Sequence, residues 1–190
     1  MCGLIAWIGA VPSDVDEMAR LAGGRGPHQH GYVTISDTIE RSTARGPISG
    51  PFHGSFTIGH SRLATSGSRP GTLPDLEEAQ PYVKKELVIA HNGVIHLEDN
   101  SHYQDSVDST MLFEVDDPHE FLEFHHNEYA HNHALITADF DTMVVSSFGH
   151  PLHIRETMEG LAVASVPTDN GEWEKVFGTI SFTTTGRGEN

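Results

Sequence analysis

The chain alternates between apolar runs of strand length and polar breaks that are rich in glycine and proline. The pattern predicts a buried strand in "CGLIAWIGAV" and three more strands in "GYVTISDTIER", "SFTIGHSRLAT" and "ELVIAHNGVI". The stretch "HALITADFDTMVVSSFG" is typical of a hairpin that turns near Phe140 and Asp141. Further short strands are predicted in "PLHIRETMEGLAVASVP" and "WEKVFGTISFTTTG".

Helices are predicted near the start and in the middle of the chain. "SDVDEMARLAGG" predicts a short helix with Ser13 as its N-cap and glycines at its end. "SVDSTMLFEV" and "PHEFLEFHHNEYAHN" predict two more, and "SGSRPGTLPDLEEAQP" predicts a loop. Strands on both sides of the middle helices predict one α+β domain over residues 1–190, with largely antiparallel sheets and helices layered against them.

Composition restricts the classes of function. The 27 acidic and 11 basic residues give a formal charge of −16, which repels phosphate backbones and argues against nucleic-acid binding. No window approaches 18 consecutive apolar residues and no signal peptide is visible, so we expect no membrane partner. A single cysteine cannot form an internal disulfide, which favours a cytoplasmic setting.

That cysteine is Cys2, and its position has two explanations. Chance placement is one. The other is removal of Met1, which would leave Cys2 as the first residue with both a thiol and a free α-amine. Since an α-amine titrates at about 7.7–8.0 and a thiol at about 8.5, the amine can act as the base that activates the thiol.

Four polar stretches follow or separate the predicted core elements, where sites are usually built: "RGPHQHG" (25–31), "GHSRLATSG" (59–67), "AHNGVI" (90–95) and "SVDST" (106–110). Headed by "MCG", this series resembles the class II glutamine amidotransferases. These are the N-terminal-nucleophile glutaminase domains of asparagine synthetase, amidophosphoribosyltransferase and glucosamine-6-phosphate synthase. The motifs cover residues 2–112, and beyond them the resemblance continues only as a pattern of strands.

The resemblance implies a four-layer αββα N-terminal-nucleophile hydrolase fold and hydrolysis of L-glutamine to glutamate and ammonia. In similar proteins the residue matching Cys2 attacks the amide and forms a γ-glutamyl thioester. The side-chain NH₂ of Asn92 and the backbone N–H of Gly93 match the donors of the family's oxyanion hole.

The resemblance also assigns the substrate-binding residues. Arg62 would hold the α-carboxylate of glutamine, for which its planar guanidinium is suited. Asp108 would accept from the α-ammonium, and Thr65 would line the glutamine pocket.

Each of these residues also has a purely structural explanation. Arg62 is compatible with a surface ion pair, and Asp108 with a helix N-cap. Asn92-Gly93 is the strongest short hairpin signal, and Thr65 is compatible with a hydrogen bond to backbone.

The 14 histidines include "HQH" (28–30), "HH" (125–126) and "HNH" (131–133), none with the spacing of a recognised zinc motif. We therefore expect neither a functional metal nor another cofactor. His60 and His91, at the ends of predicted strands, are interpreted as packed, hydrogen-bonded side chains.

Three departures from the family pattern affect specificity more than chemistry. His28 stands where asparagine synthetases usually carry an acid, Leu63 where an aromatic is frequent, and Ser66 where relatives vary.

No acceptor-domain motif is found, so the resemblance implies that a separate ammonia-accepting synthase is the partner of this chain. A homo-oligomer is compatible with the sequence. Two alternative functions stay open: hydrolysis of another γ-glutamyl amide, and a catalytically silent binding or scaffolding subunit with the same fold.

Overall fold

The computed structural model describes residues 1–63, 75–95, 108–157 and 160–183. Within them, the first sheet contains seven strands: β1 (Gly3–Gly9), β2 (Gln29–Ile35), β3 (Ile39–Arg45), β4 (Phe56–Arg62), β9 (His153–Thr157), β10 (Gly160–Ala164) and β11 (Glu174–Lys175). The second sheet contains five: β5 (Tyr82–Lys84), β6 (Leu87–Asn92), β7 (His133–Ala138), β8 (Thr142–Phe148) and β12 (Gly178–Thr183). The helices are α1 (Val15–Arg25) and α2 (Pro118–Tyr129), with 3₁₀ turns at Leu76–Glu78 and Asp108–Phe113.

The two sheets pack face to face, with one helix on the outside of each. Their strand orders are β11-β9-β10-β1-β4-β2-β3 and β12-β8-β7-β6-β5, and the paired strands are antiparallel. Alternate side chains of β1 show the layering, because Leu4 lies in the core between the sheets while Trp7 packs against α1. Leu122 of α2 packs on the outer face of the second sheet. This arrangement confirms the α+β class and the four αββα layers.

Gly3 lets α1 approach the first strand closely. A Cβ at this position would lie 2.2 Å from the carbonyl oxygen of Ala22, a contact that no side chain tolerates. The glycine that follows Cys2 is therefore required by packing between helix and strand.

The N-cap of α1 lies one residue later than predicted. The cap residue is Asp14, not Ser13, and the Asp14 side chain makes no capping hydrogen bond. Instead the Asp14 carboxylate pairs with Arg155 of β9, with 2.6 Å between Oδ1 and Nη2. This long-range ion pair outweighs the local capping preference on which the Ser13 prediction depended.

Two other local predictions were wrong in detail. "GYVTISDTIER" was predicted as one strand, but it forms the hairpin of β2 and β3 with a turn at residues 36–38. The stretch from Asp108 to Phe113 is a 3₁₀ helix rather than an α-helix. The hairpin of β7 and β8 is confirmed, and the Asp139 carboxylate stabilises its turn by accepting from the backbone N–H groups of Asp141 and Thr142.

The sheet register places the polar stretches at one end of the molecule. Gly3 of β1 lies opposite Ser61 of β4, so Cys2 comes next to Arg62. In the second sheet β6 ends at Asn92, above the same end of β1. None of the described helices combines the length and apolarity needed to cross a membrane.

Candidate active site

Cys2 lies directly before β1, between the ends of the two sheets. Its backbone N–H donates to the side-chain oxygen of Asn92, with 3.0 Å between nitrogen and Oδ1. Its thiol donates to the carbonyl of Leu63, with 3.8 Å between sulfur and oxygen. The two sheets thus hold the backbone nitrogen and the sulfur of one residue against different strand ends.

The electrostatic surroundings of the thiol include two arginines. Burial raises the pKa of the Cys2 thiol, while a backbone hydrogen bond at Leu63 and the charges of Arg62 and Arg25 oppose the rise. Arg25 ends α1 and donates from Nη1 to the carbonyl of Ser165 at 3.2 Å, which keeps its charge on this side of the helix. A thiolate formed here is stabilised by these two positive charges.

The oxygen and the nitrogen of the Asn92 side chain differ in their hydrogen bonding. The residue is 2% exposed, and its Oδ1 accepts from Cys2. Its Nδ2 is buried and finds no hydrogen-bond partner among the described residues. A buried amide donor without a partner lowers the stability of the fold. A ligand that accepts a hydrogen bond from Nδ2 beside the thiol would explain why this donor is present.

Gly93 is packed too tightly to carry a side chain. A Cβ there would lie 2.5 Å from Nδ1 of His133 and 2.7 Å from Nε2 of His91. Only glycine fits at this position, directly after the residue whose side chain contacts Cys2. The isolated hairpin explanation of Asn92-Gly93 is wrong, because β6 and β7 are joined through the long segment that contains α2.

Arg62, the last residue of β4, is buried with an exposed fraction of 3%. Its Nη1 lies 2.7 Å from Oε2 of Glu78, which belongs to the 3₁₀ turn before β5. With its amide oriented to satisfy its neighbours, Gln29 accepts from the same Nη1 at 2.9 Å and donates to the Asp75 carbonyl. The alternative of a surface position for Arg62 is therefore wrong, since its side chain is buried and its partner Glu78 is partly buried.

Asp108 begins the second 3₁₀ helix and lies on the same side of the site. Its Oδ2 accepts from the backbone N–H of Ile95 at 2.7 Å, which ties down the segment that follows Gly93. Burial raises the pKa of the nearby Tyr82 hydroxyl, on which the charges of Arg62, Glu78 and Asp108 all act. The structure therefore brings the proposed carboxylate-binding and ammonium-binding residues together around Tyr82, whereas Thr65 and Ser66 lie outside the described residues.

Behind the Asn92-Gly93 turn lies a row of buried histidines. His91 Nδ1 is 2.8 Å from Ser109 Oγ, His91 Nε2 is 3.1 Å from His133 Nδ1, and His133 Nε2 is 2.9 Å from His125 Nδ1. His60 adds a contact of 3.2 Å from its Nε2 to the His91 carbonyl. The interpretation of His60 and His91 as packed, hydrogen-bonded side chains is confirmed.

Burial favours the neutral form of three of these histidines, His60, His91 and His133. It lowers the pKa of His60 and of His133 to about 3, and it lowers the pKa of His91 well below its ordinary value. The neighbouring His119, bonded to Ser146 and Thr137, has a pKa lowered to about 4 by burial. Within the described parts of the chain, no group of three or more His, Cys, Asp or Glu is arranged to hold a metal ion.

We expect the free energy of unfolding to fall when the pH is lowered from 7 to 5. The unfolded chain binds protons at histidine near pH 6.5, whereas His60, His133 and His119 bind them only near pH 3–4 when folded. Between these two pKa values, each histidine lowers the free energy of unfolding by about 1.4 kcal/mol for every unit by which the pH falls. Above pH 7 these histidines are neutral in both states and contribute no pH dependence. Urea unfolding at pH 7.5, 6.5, 5.5 and 5.0 measures the effect.

A matched pair of variants separates this effect from that of overall charge. His119→Gln keeps a polar side chain in the buried position and is expected to flatten the dependence of stability on pH. His53→Gln removes an exposed histidine and is expected to leave that dependence unchanged. Equal slopes in both variants would contradict the assignment to buried, neutral histidines.

Sequence reasoning missed two parts of this site. Glu78 was placed in a loop, and nothing in "DLEE" distinguishes the acid that faces Arg62 from its neighbours. The contact of His133 with Gly93 was also missed, because "HNH" was considered only as a metal motif. Its position at the start of a strand next to β6 was the available signal.

Comparison with known proteins gives sequence relatives of one kind. No family model matches the chain. Glutamine–fructose-6-phosphate aminotransferase (isomerizing) of Bradyrhizobium diazoefficiens is 31% identical over 107 residues, which is 50% of this chain and 17% of that protein. The enzyme of the same name from Zymomonas mobilis is 29% identical over 136 residues, 59% of this chain and 21% of that protein. The chain thus spans about a fifth of the length of these relatives.

Solved structures share the fold at low sequence identity. Glutamine phosphoribosylpyrophosphate amidotransferase from B. subtilis superposes with a TM-score of 0.57 and 19% identity, over 86% of this chain and 42% of that one. A glutamine aminotransferase class-II domain protein from Silicibacter pomeroyi gives a TM-score of 0.57 and 15% identity, over 95% of this chain and 94% of that one. These likenesses establish the N-terminal-nucleophile hydrolase fold. In sequence motifs and in fold the chain resembles the class II glutamine amidotransferases.

Proposed function

We propose that this chain, with its resemblance to class II glutamine amidotransferases, hydrolyses L-glutamine to glutamate and ammonia through a thioester on Cys2. One observation carries the proposal. The backbone nitrogen of Cys2 lies 3.0 Å from Oδ1 of Asn92, whose buried Nδ2 finds no partner among the described residues. Nucleophile, base and oxyanion donor are thereby supplied by two residues in contact.

The base exists only if Met1 is removed. Met1 is 62% exposed, so the peptide bond before Cys2 is open to an aminopeptidase. After cleavage the backbone nitrogen of Cys2 becomes an α-amine, and Asn92 Oδ1 is already placed to accept a hydrogen bond from it. This contact would aim the nitrogen lone pair toward the thiol of the same residue.

The reaction then follows from the positions of these groups. The α-amine takes the thiol proton, and the thiolate attacks the side-chain amide carbon of glutamine. Asn92 Nδ2 and the backbone N–H of Gly93 stabilise the oxyanion. The C–N bond of the amide then breaks as the protonated α-amine of Cys2 gives its proton to the amide nitrogen, which leaves as ammonia. Water attacks the resulting thioester, giving glutamate and restoring the thiol.

Substrate orientation is assigned to the group around Tyr82. Arg62 would bind the α-carboxylate of glutamine. It directly precedes Leu63, whose carbonyl contacts the thiol, so the carboxylate-binding group lies close to the nucleophile. Asp108 would accept from the α-ammonium while holding the backbone of Ile95. Thr65 would complete the pocket wall.

We propose that residues 1–190 act as one glutaminase domain and that a separate synthase consumes the ammonia. The Silicibacter pomeroyi protein supports the single domain, since this chain covers 94% of its length. Synthesis with this ammonia would need direct delivery to the synthase, because ammonia released into water is protonated and diluted before it can act as a nucleophile.

The test combines mass and activity. Intact mass of protein purified from its native host is expected to show loss of Met1, and this protein is expected to release ammonia from L-glutamine. A panel of γ-glutamyl amides run beside L-glutamine identifies a different preferred amide. Full retention of Met1, or no turnover of any compound in the panel, would refute the proposal, and the second result would favour a silent subunit.

A further inference from the structure

The proposed mechanism uses Arg62 but gives no role to Glu78, its partner in a largely buried ion pair. Arg62 is 3% exposed and Glu78 is 18% exposed, with 2.7 Å between Nη1 and Oε2. Burying two charges is costly, and replacing such a pair with apolar residues is often neutral or stabilising. The pair lies directly beside the substrate end of the site, since Arg62 precedes the residue that contacts the thiol.

A site for a free α-amino acid must meet two opposite charges on one carbon atom. The carboxylate needs a cation and the ammonium needs an anion, and the two receptor groups must be neighbours. Arg62 and Glu78 are such neighbours already. A bound zwitterion can replace their single contact with two, one to each side chain, so no charge is left unpaired in the buried site.

We propose that Glu78 accepts from the α-ammonium of the substrate and makes the site specific for γ-glutamyl compounds with a free α-amino group. The inference rests on the proposed function. Glu78 is a specificity-determining residue here, and Asp108 acts beside it. Asp108 already uses Oδ2 to hold the Ile95 N–H, so part of its role is to position the segment after Gly93.

The surroundings of Glu78 hold the backbone of its 3₁₀ turn in place. Its backbone carbonyl accepts from the Tyr82 hydroxyl at 2.8 Å, and Asp75 caps the 3₁₀ turn by accepting from the Glu77 N–H. Gln29 holds Arg62 from another direction at 2.9 Å. Arg62 therefore keeps its hydrogen bond to Gln29 when the Glu78 carboxylate turns to the substrate ammonium.

Direct binding to a chain that carries Cys2→Ala tests the inference without turnover. The probes are L-glutamine and 4-carbamoylbutanoate, which lacks only the α-ammonium, measured by isothermal titration calorimetry. Glu78→Gln is expected to weaken L-glutamine about 10- to 100-fold, the loss typical of a hydrogen bond to a charged group. Binding of 4-carbamoylbutanoate is expected to be unchanged or tighter in Glu78→Gln. This probe has no ammonium to contact Glu78, and the variant removes a carboxylate that competes with the probe for Arg62.

Two variants serve as controls. Glu77→Gln makes the same charge change at an exposed position of the same turn and is expected to leave both affinities unchanged. Glu78→Asp retains the carboxylate and is expected to keep the preference for L-glutamine over 4-carbamoylbutanoate. Circular dichroism of each variant checks the fold.

Three outcomes would overturn the inference: tighter L-glutamine binding in Glu78→Gln, equal weakening of both probes, or no L-glutamine binding by the parent. The first would make Glu78 a competitor for Arg62, and the second would make it only a support for that side chain. Turnover by the chain with Cys2 intact tests the proposed function separately. Turnover without dependence on Glu78 refutes only the inference, whereas Glu78-dependent binding without turnover refutes only the hydrolysis.

Discussion

Replacing Cys2 with alanine is expected to abolish release of ammonia from L-glutamine, a loss on the order of 10⁴–10⁶-fold in kcat. The side chain is the nucleophile of the proposed mechanism, and alanine offers no group that can attack the amide carbon. The fold should be unaffected, because the Cys2 backbone keeps its contact with Asn92 and the thiol makes one weak bond to Leu63. Steady-state ammonia release and thermal unfolding are measured on the same preparation.

Cys2→Ser provides the matched variant. It retains an α-amine and a hydroxyl of similar size, but a hydroxyl is a much weaker nucleophile at neutral pH, so only residual turnover is expected. A slowly hydrolysed γ-glutamyl substrate should add the mass of a γ-glutamyl group to the parent enzyme, as the thioester on Cys2. This mass increase should be absent in Cys2→Ala. Equal activity in Cys2→Ala and the parent would show that the nucleophile lies elsewhere.

Replacing Asn92 with alanine is expected to lower kcat by about 10²–10³-fold, as for other oxyanion donors, with a smaller change in KM. The buried Nδ2 has no partner among the described residues, so its donor capacity is available to a charge that develops only during the reaction. Loss of an interaction made only in the transition state lowers kcat rather than substrate affinity. Initial rates over a range of L-glutamine concentrations separate the two parameters.

Asn92→Asp distinguishes the two atoms of this side chain. It keeps an oxygen for the Cys2 nitrogen and replaces the donor with a second acceptor that repels the oxyanion. Its kcat should therefore fall at least as far as that of Asn92→Ala, although the contact with Cys2 is retained. Recovery of activity in Asn92→Asp would mean that the residue acts through Cys2 alone.

The architecture followed from local pattern because the strands are short and their apolar positions are continuous. In β1, Leu4 and Trp7 are both buried although they face opposite sides of the sheet, and such strands are apolar on both faces. A sheet covered on both faces by another sheet and a helix leads to four layers. The positions of the polar motifs could be predicted as well, although the strands extend into them: β4 ends at Arg62 and β6 ends at Asn92.

Errors occurred where a distant partner outweighed a local preference. Ser13 and Asp14 are comparable N-cap residues by type, and Asp14 takes the N-cap position while its side chain reaches Arg155, which is 141 residues away. The sequence between Gly31 and Arg41 reads as one alternating strand, yet its two halves pair with each other across a turn at residues 36–38. Neither outcome is visible in a window of ten residues, because each depends on contacts made by the whole fold.

The sequence by itself determined the chemistry available to this protein: one thiol at position 2, the motif residues from Arg62 to Asp108, and apolar runs suited to two covered sheets. Only the tertiary structure decided which atoms meet. It placed the Cys2 nitrogen on Asn92, paired Arg62 with Glu78, and set His133 against Gly93. These contacts join residues 16 to 90 positions apart, so they depend on the packing of the two sheets and their connections and not on any short stretch of sequence.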